Sequence, residues 1–167
     1  TTVPVSAAGF DPVAPARVFD TRPGQSPAAL VAVPKQPVDP DLPLEVRVTD
    51  LPGATPADGV GAVSLNVTVT EPGASGFLTL YPCGQRSLVS SVNFTAGATV
   101  ANAVIAPVSA DGTVCFAPST ALHLVVDLSG WLPVDGSLHA LDPSRVLDTR
   151  GESPGALLPE PIGRMKP

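Results

Sequence analysis

The chain has 167 residues and a formal net charge of −6; 44% of the residues are hydrophobic and only 14% are charged. This length can bury a core without a structural metal, and the hydrophobic share argues against disorder throughout. An acidic, charge-poor chain argues against nucleic acid as a partner, because phosphate binding needs clustered Lys and Arg, and no apolar run reaches membrane-spanning length.

Short strand-like runs follow one another along the chain, separated by turn residues. Pro (21) and Gly (15) are spread through the sequence and interrupt nearly every window long enough to hold a helix. The first runs are "ARVFD" at residues 16–20 and "LEVRVTD" at residues 44–50. Between them, residues 22–43 are rich in proline, which cannot donate to a ladder, so a loop or an edge crossing is predicted there.

The middle of the chain has a period of two. In "VSLNVTVTE", Val63, Leu65, Val67 and Val69 alternate with polar residues, which is typical of a half-buried strand. The run "GFLTLYP" follows the turn "EPGASG", so these two runs are predicted to pair as a hairpin. The runs "SLVSSVNF" and "TVANAVIAPV" flank "TAG" and predict a second hairpin.

The last alternating run of this unit is "ALHLVVDLSGWL". Leu122, Leu124, Val126 and Leu128 share one phase and are predicted to face the core, whereas His123 falls on the other phase and is expected on the solvent side. With "GTVCFAP" before it, we expect about nine or ten short strands in all. An all-β fold follows: an antiparallel β-sandwich or a barrel-like double sheet.

Three segments are predicted from these patterns. Residues 1–15 form an extended N-terminal segment, and residues 16–135 form the β-sandwich module. Residues 136–167 either start a second repeat or complete a sheet. The opening "TTVPVSAAG" is interpreted as the start of a mature chain after processing.

The two cysteines, Cys83 and Cys115, each lie beside a strand-like run. In a chain rich in Pro and Gly and poor in Lys, an isolated pair favours one disulfide in an exported protein; two buried free thiols are the alternative. A zinc site is not expected, because neither cysteine has a CxxC partner and the only histidines are His123 and His139.

One motif occurs twice. The segment "ARVFDTRPGQSP" at residues 16–27 returns as "SRVLDTRGESPG" at residues 144–155. The alignment runs without a gap from Phe10 and Leu138 to the arginines that end each Asp-Thr-Arg, and a one-residue gap then aligns Ser-Pro with Ser-Pro. The chain therefore holds one unit followed by the opening of another, or by a copy of its own first strand.

The residue types of this motif suit a structural joint. In a strand, Asp20 and Arg22 share a face and Thr21 takes the other. The carboxylate can accept from backbone N–H groups of the following turn, and a guanidinium can fork onto carbonyls or a carboxylate. A joint is the favoured interpretation, and a patch that binds a sugar, a carboxylate or a calcium ion is the alternative. The residues concerned are Arg17, Asp20, Thr21 and Arg22, with their counterparts Arg145, Asp148, Thr149 and Arg150.

Other candidate chemistry is sparse. No catalytic residue is predicted. GxSxG is absent from the sequence, His123 is expected on the solvent side, and His139 lies just before the second copy of the motif, where the first copy has Asp11. A calcium site could use Asp20, Asp127 and Asp148 with loop carbonyls, but no cofactor is expected. Tyr81 and Trp131 are interpreted as core or domain-closing aromatics rather than as sugar platforms.

The blocks "RVFDTR", "SLNVTVTEPGASGFLTLYPCG", "SSVNFTAGATVANAVIAPVSADGTVCF" and "LHLVVDLSGWL" resemble, in this order, a repeat module of secreted actinobacterial proteins. The resemblance covers residues 15–132. It implies that Cys83 and Cys115 are the paired positions, that Trp131 stands where an aromatic closes the domain, and that the block ending at Arg150 starts the next module. Such modules are appendages of cell-wall hydrolases, peptidases and large surface proteins, which implies an extracellular or cell-surface location.

The sequence therefore favours a non-enzymatic structural module that joins end to end through β-strand contacts. Its expected partners are neighbouring copies or adjacent domains of the same protein, because an exposed strand can form main-chain hydrogen bonds with the edge of another sheet. A carbohydrate- or cell-wall-binding accessory module of a secreted hydrolase is the alternative, and a hydrolase is third.

Overall fold

The structure is a computed structural model that describes residues 9–87, 89–136 and 141. Within these residues the chain forms eight strands and no helix. The strands are β1 (Asp11–Asp20), β2 (Leu44–Arg47), β3 (Val60–Thr70), β4 (Gly76–Pro82), β5 (Val92–Phe94), β6 (Val100–Pro107), β7 (Thr113–Pro118) and β8 (His123–Pro133). A ninth candidate strand lies in the second copy of the motif, outside the described residues.

The strands form two four-stranded antiparallel sheets, which confirms the predicted all-β double-sheet fold. Sheet 1 has the order β1-β8-β3-β6, and sheet 2 has the order β2-β7-β4-β5. The long pair β3 and β8 forms the centre of sheet 1, with β1 and β6 at its two edges. Both edge strands of sheet 2 are short, since β2 has four residues and β5 has three.

Both predicted hairpins are wrong. β3 and β4 belong to different sheets, and so do β5 and β6. Every connection between consecutive strands crosses from one sheet to the other, except the one from β4 to β5. The period of two specifies which side chains face the core, but it is the same in both sheets. The turns after β3 and β5 are long enough to cross the roughly 10 Å between packed sheets.

The predicted core phase is confirmed. The inward side chains of β3 and β8, together with Leu122 just before β8, are fully or almost fully buried and belong to the core between the sheets. Those of the strands are Val63, Leu65, Val67, Val69, Leu124, Val126 and Leu128. Across the sandwich, Phe19 of β1 and Phe116 of β7 pack edge to face with ring centroids 5.1 Å apart. This aromatic pair anchors the edge strand β1 to the opposite sheet.

β1 begins at Asp11, so sheet 1 takes in residues 11–15, which the sequence analysis placed in an extended N-terminal segment. The pairing of β1 with β8 is interrupted by two register shifts, one between Pro12 and Ala16 and one beside Arg17. Just before the strand, the ring of Phe10 lies over Gly130. A Cβ at Gly130 would clash with that ring, so glycine is required here for Phe10 to keep this position.

The proline-rich segment predicted as a loop or edge crossing contains none of the eight strands. We call residues 22–43 the strap. It leaves the end of β1, forms one isolated bridge between Val38 and Leu122, the residue before β8, and leads the chain to β2 in the other sheet. On its way, Leu30, Val31 and Val33 pack against the core. The strap therefore closes the side of the sandwich on which β1 and β2 lie.

Candidate functional site

The Asp-Thr-Arg motif forms a side-chain joint where β1 ends, and Asp20 is its centre. The residue is 0% exposed. Its Oδ1 accepts hydrogen bonds from the backbone N and the Nε of Arg22, both at 3.0 Å. Its Oδ2 accepts from Arg22 Nη2 at 2.8 Å, from Ser26 Oγ at 2.9 Å and from Arg17 Nη1 at 3.4 Å. A carboxylate has about four acceptor sites, so Asp20 has none left for an external ligand.

The charge of Asp20 is strongly favoured by this arrangement. Burial by itself raises the pKa of the carboxyl group, but the hydrogen bonds from the side chain and backbone of Arg22 and from Ser26 outweigh it. The pKa of Asp20 is therefore held well below its usual value, and the same contact raises the pKa of the Arg22 guanidinium. Asp20 is thus ionised throughout the physiological pH range.

Arg17 links this centre to strand β8. Its Nε and Nη2 donate to Asp127, the second contact at 3.3 Å, while its Nη1 donates to Ser26 Oγ at 2.8 Å and to Asp20. A guanidinium therefore lies between Asp20 and Asp127, two of the three carboxylates proposed from the sequence as calcium ligands; the third, Asp148, lies outside the described residues. Because a cation already neutralises both groups, this arrangement disfavours a second cation there.

Thr21 and His123 correct one sequence expectation. His123 is 7% exposed and not on the solvent side. Its Nδ1 lies 3.1 Å from Thr21 Oγ1, and the same hydroxyl accepts from the backbone N of Leu124 at 2.9 Å. Thr21, the residue after β1, covers His123 although the two are 102 residues apart in sequence. The alternation of residues around His123 therefore cannot predict its burial.

The strap completes the joint by occupying the outer edge of β1. The backbone N of Leu30 donates to Arg17 O at 3.0 Å, and that of Val31 donates to Val18 O at 2.8 Å. Lys35 Nζ donates to the backbone carbonyls of Asp20 and Gln25. We call Arg17, Asp20, Arg22, Ser26 and Asp127 the lock.

The sequence analysis did not find all of these residues. Ser26, Lys35 and the role of Asp127 as the partner of Arg17 were missed. A signal existed only for Ser26, which recurs as Ser153 in the second copy of the motif. The second copy itself, with Arg145, Asp148, Thr149 and Arg150, lies outside the described residues, as does His139.

The predicted disulfide is confirmed. Cys83 at the end of β4 and Cys115 in β7 are joined by an S–S bond, with their Cα atoms 5.1 Å apart. Glu45 lies beside these sulfur atoms. Sulfur atoms joined to each other are not thiolates, so the three residues do not form a metal site in this state.

The two aromatics predicted to close the domain, Trp131 and Tyr81, are buried. Trp131 is fully buried in the main core, and its indole Nε1 has no hydrogen-bond partner among the described residues. Tyr81 is buried against Cys115 and Ala117 on the outer side of sheet 2. Neither ring is placed to stack on a sugar, because a sugar platform needs an exposed ring face.

Three surface cavities lined by described residues have volumes of about 280 Å³ each. One lies between the strap and β2, where Pro37, Val38 and Leu42 contribute to a mainly apolar wall. A second, polar cavity lies at one end of the sandwich and is lined by groups such as Arg47 and Asp111.

The third cavity lies on the outer face of sheet 2. Phe77, whose side chain is 45% exposed, forms part of its wall with Arg86 and Ser87. An exposed ring beside a guanidinium and hydroxyl groups is a combination that sugar-binding surfaces use.

None of the described residues forms a helix with the length and apolarity that a bilayer crossing requires. No protein-family model, curated protein or solved structure matches this chain. The fold and the lock are therefore the observations from which a function can be argued.

Proposed function

We propose that this chain is a non-enzymatic structural module of an extracellular or cell-surface protein, and that it associates with neighbouring copies or adjacent domains through β-strand contacts. The observation that carries the proposal is the complete burial of Asp20 within the lock. A carboxylate whose acceptor sites are all used inside the chain serves to fix a strand, not to bind a substrate. The motif that does this is present a second time.

The residues of the lock come from two places in the chain. Arg17, Asp20, Arg22 and Ser26 belong to the motif, whereas Asp127 belongs to β8. The second copy contains the corresponding motif residues Arg145, Asp148, Arg150 and Ser153. A strand with these side chains is complementary to the β8 of another sandwich only after that sandwich's own β1 has left, because β8 is paired on both sides and Asp127 is bound by Arg17 while β1 is in place.

The apolar residues of the two copies also correspond. In the alignment of the two copies, Val146 corresponds to the buried Val18, and Leu147 corresponds to the buried Phe19. A leucine fills less of the space beside Phe116 than the phenylalanine does, so the second copy packs less tightly in such a slot. The chain's own β1 is therefore the stronger occupant of its β8, and association through the second copy is reversible.

The contact between Thr21 and His123 does not favour a hydrolase. A hydroxyl beside an imidazole can form a nucleophile and its base, but a nucleophile must also reach the substrate. Thr21 is buried, and its hydroxyl accepts the backbone N–H of Leu124. The pair instead satisfies polar groups where β1 ends.

An oxidising location outside the cytosol fits the disulfide. Bonds of this kind form and persist in secreted and surface proteins and are rare in the cytosol. The link between Cys83 and Cys115 closes a sequence separation of 32 residues, and the chain-entropy model gives it a stabilisation of about 3–4 kcal/mol.

The test is the mass of the full chain in solution, measured by size-exclusion chromatography with light scattering. Deletion of residues 137–167 removes the second copy and should abolish the oligomers that depend on it. Asp148→Asn in the full chain should weaken them too, because it removes the carboxylate around which a second lock would form. Asp135→Asn, an exposed position that removes the same charge, is the matched control. An unchanged mass distribution after the deletion would contradict the proposal.

A second candidate function, binding of a cell-wall glycan, is favoured by the cavity beside Phe77. The ring is 45% exposed beside Arg86 and Ser87, and the apolar face of a sugar can stack on such a ring while its hydroxyls meet polar groups. A pull-down on purified peptidoglycan tests it: retention should fall with Phe77→Ala but not with Leu42→Ala, a control that removes an apolar side chain that is more exposed than Phe77 and does not line this cavity. Absence of retention for the unmodified chain would eliminate this candidate.

A further inference from the structure

The edge of sheet 1 opposite to β1 is formed by β6, which pairs with β3 on one side only. Its register is uninterrupted from the pair Ala62 and Pro107 to the pair Val69 and Val100. Next to this ladder, the backbone N of Val108 donates to the backbone oxygen of Gly61.

Hydrogen-bonding direction alternates along an antiparallel strand. The main-chain N–H and C=O groups of Ala101, Ala103 and Ile105 therefore point away from β3. No hydrogen bond between described residues engages these outward groups. β6 thus presents a regular row of unpaired main-chain donors and acceptors.

This edge lacks the features that usually prevent strand addition. Proteins protect edge strands with charges, prolines, bulges or covering loops. β6 has no charged residue, its only proline is its last residue, Pro107, and its pairing has no bulge. Beside it on β3, the outer face carries Ser64, Asn66 and Thr68, which are uncharged as well. The net charge of −6 therefore does not oppose the approach of a like surface at this place.

The edge is also held in position. The Nδ2 of Asn102 donates to the backbone oxygen of Ser91 at 2.7 Å, which ties β6 to the segment that precedes β5. This contact closes the side of the sandwich below β6, while no described residue pairs with β6 on the side away from β3. An ordered edge loses little conformational entropy when a partner strand pairs with it.

We propose that β6 pairs antiparallel with the β6 of a second copy of this chain, about a two-fold axis at Ala103. Ala103 then lies opposite its own counterpart, and Ala101 lies opposite the second copy's Ile105. All three outward-facing residues form hydrogen-bonded pairs, each of which exchanges two N–H···O=C bonds. Ile105, which is 54% exposed, is covered by the small residues of the other strand.

A second copy is the occupant that this edge fits best, because the row of outward groups is self-complementary about Ala103. The interface uses the edge remote from the lock, so it goes beyond the proposed function and does not depend on the second copy of the motif. One strand pair buries little area, so the association is weak and depends on concentration.

The test is sedimentation equilibrium of the full chain over a range of concentrations. Ala103→Lys places like charges opposite each other at the axis and should raise the dissociation constant about tenfold or more. Ala103→Pro should do the same, because it removes an outward N–H that has no hydrogen-bond partner among the residues that the structure describes. Gln85→Lys adds the same charge at an exposed turn and should leave the dissociation constant unchanged.

A cross-link tests the register. Residues of a hydrogen-bonded antiparallel pair have Cα atoms about 5.5 Å apart, which a disulfide can span. Ala103→Cys should therefore give a covalent dimer under mild oxidation, at a higher yield than Gln85→Cys, which measures random collision. An equal yield from both variants would contradict the axis at Ala103.

The outcomes separate this inference from the proposed function. Association that is lost with Ala103→Lys but kept after deletion of residues 137–167 supports the β6 pair and contradicts the role of the second motif. The reverse result overturns the β6 pair and leaves the proposed function standing. Loss in both variants supports both, and a full chain that stays monomeric at all concentrations contradicts both.

Discussion

Of the two edges of sheet 1, β1 is protected against strand addition and β6 is not. β1 has two register shifts and two prolines, Pro12 and Pro15, and the strap donates two backbone hydrogen bonds to its outer side. A buried carboxylate and the surrounding lock then fix its end. β6 has a continuous register, no charge and no covering segment among the described residues. The β1 edge is covered by side chains and a loop, whereas the β6 edge exposes main-chain N–H and C=O groups.

The difference shows where sequence specificity resides in this sandwich. The position of β1 depends on particular residue types at fixed spacing, so a second segment with the same residues can compete for the same slot. β6 depends on no such residues, because its outward main-chain groups are the same for any strand. The repeated motif therefore indicates where a β1-like strand can pair. No comparable sequence motif marks the β6 edge.

The largest expected effect comes from breaking the protected edge at its centre. Asp20→Asn keeps the size of the side chain but replaces one acceptor oxygen by a donor that faces Arg22, Ser26 or Arg17. Removal of one partner of a buried ion pair costs 3–5 kcal/mol. Both arginine side chains are about one-third exposed and can be hydrated, so we expect about 3 kcal/mol, measured as the free energy of unfolding in urea.

Asp41→Asn is the control for this substitution. Asp41 is exposed in the strap, and its replacement should change the free energy of unfolding by no more than about 0.5 kcal/mol. If the two variants lost equal stability, the lock would not be what holds β1.

Acid should weaken the same edge reversibly. The folded-state pKa of Asp20 lies well below its usual value, whereas the unfolded-state pKa of an aspartate is about 3.9. The stabilisation is therefore complete above the unfolded pKa and is lost as the pH falls from about 4 toward the folded pKa. Urea unfolding of the parent at pH 5 and pH 2.5 should show this loss, and Asp20→Asn should show a smaller one. Equal acid dependence in parent and variant would assign the loss to other carboxyl groups.

A smaller effect is expected at the other end of β1. In Gly130→Ala, the new methyl group meets the ring of Phe10 and the backbone oxygen of Asp11, and we expect a loss of about 1–2 kcal/mol from overpacking. The measurement is thermal unfolding of the single variants and of the double variant with Phe10→Ala. The substitution should cost less in the double variant, because only the contact with Asp11 remains. Additive losses would show that Phe10 does not occupy the space over Gly130.

Much of the fold could be predicted because the alternation is regular. The phase of Val63, Leu65, Val67 and Val69 identified the core face of β3, and the two cysteines identified the disulfide. The assignment of strands to sheets could not be predicted. A strand has the same period in either sheet, and a turn of several residues can return the chain to its neighbour or carry it across the sandwich.

The lock was only partly predictable for a related reason. Arg17 and Asp127 are 110 residues apart in sequence, so no local pattern connects them. The burial of His123 depends in the same way on Thr21, which reaches it from the end of another strand. Within the motif, the repetition of Ser26 as Ser153 was the one available sign that this hydroxyl belongs to the lock.

The smallest expected effect on stability lies at the unprotected edge. Ala103 is exposed, and its main-chain groups point away from β3, so Ala103→Lys removes no contact within the folded chain. At concentrations too low for association, its free energy of unfolding should match that of the parent within about 0.5 kcal/mol. A loss similar to that of Asp20→Asn would mean that β6 is held by its side chains as β1 is, and the contrast between the two edges would fail. If instead stability is kept while self-association is lost, the β6 edge serves contact between copies and the β1 edge serves the fold.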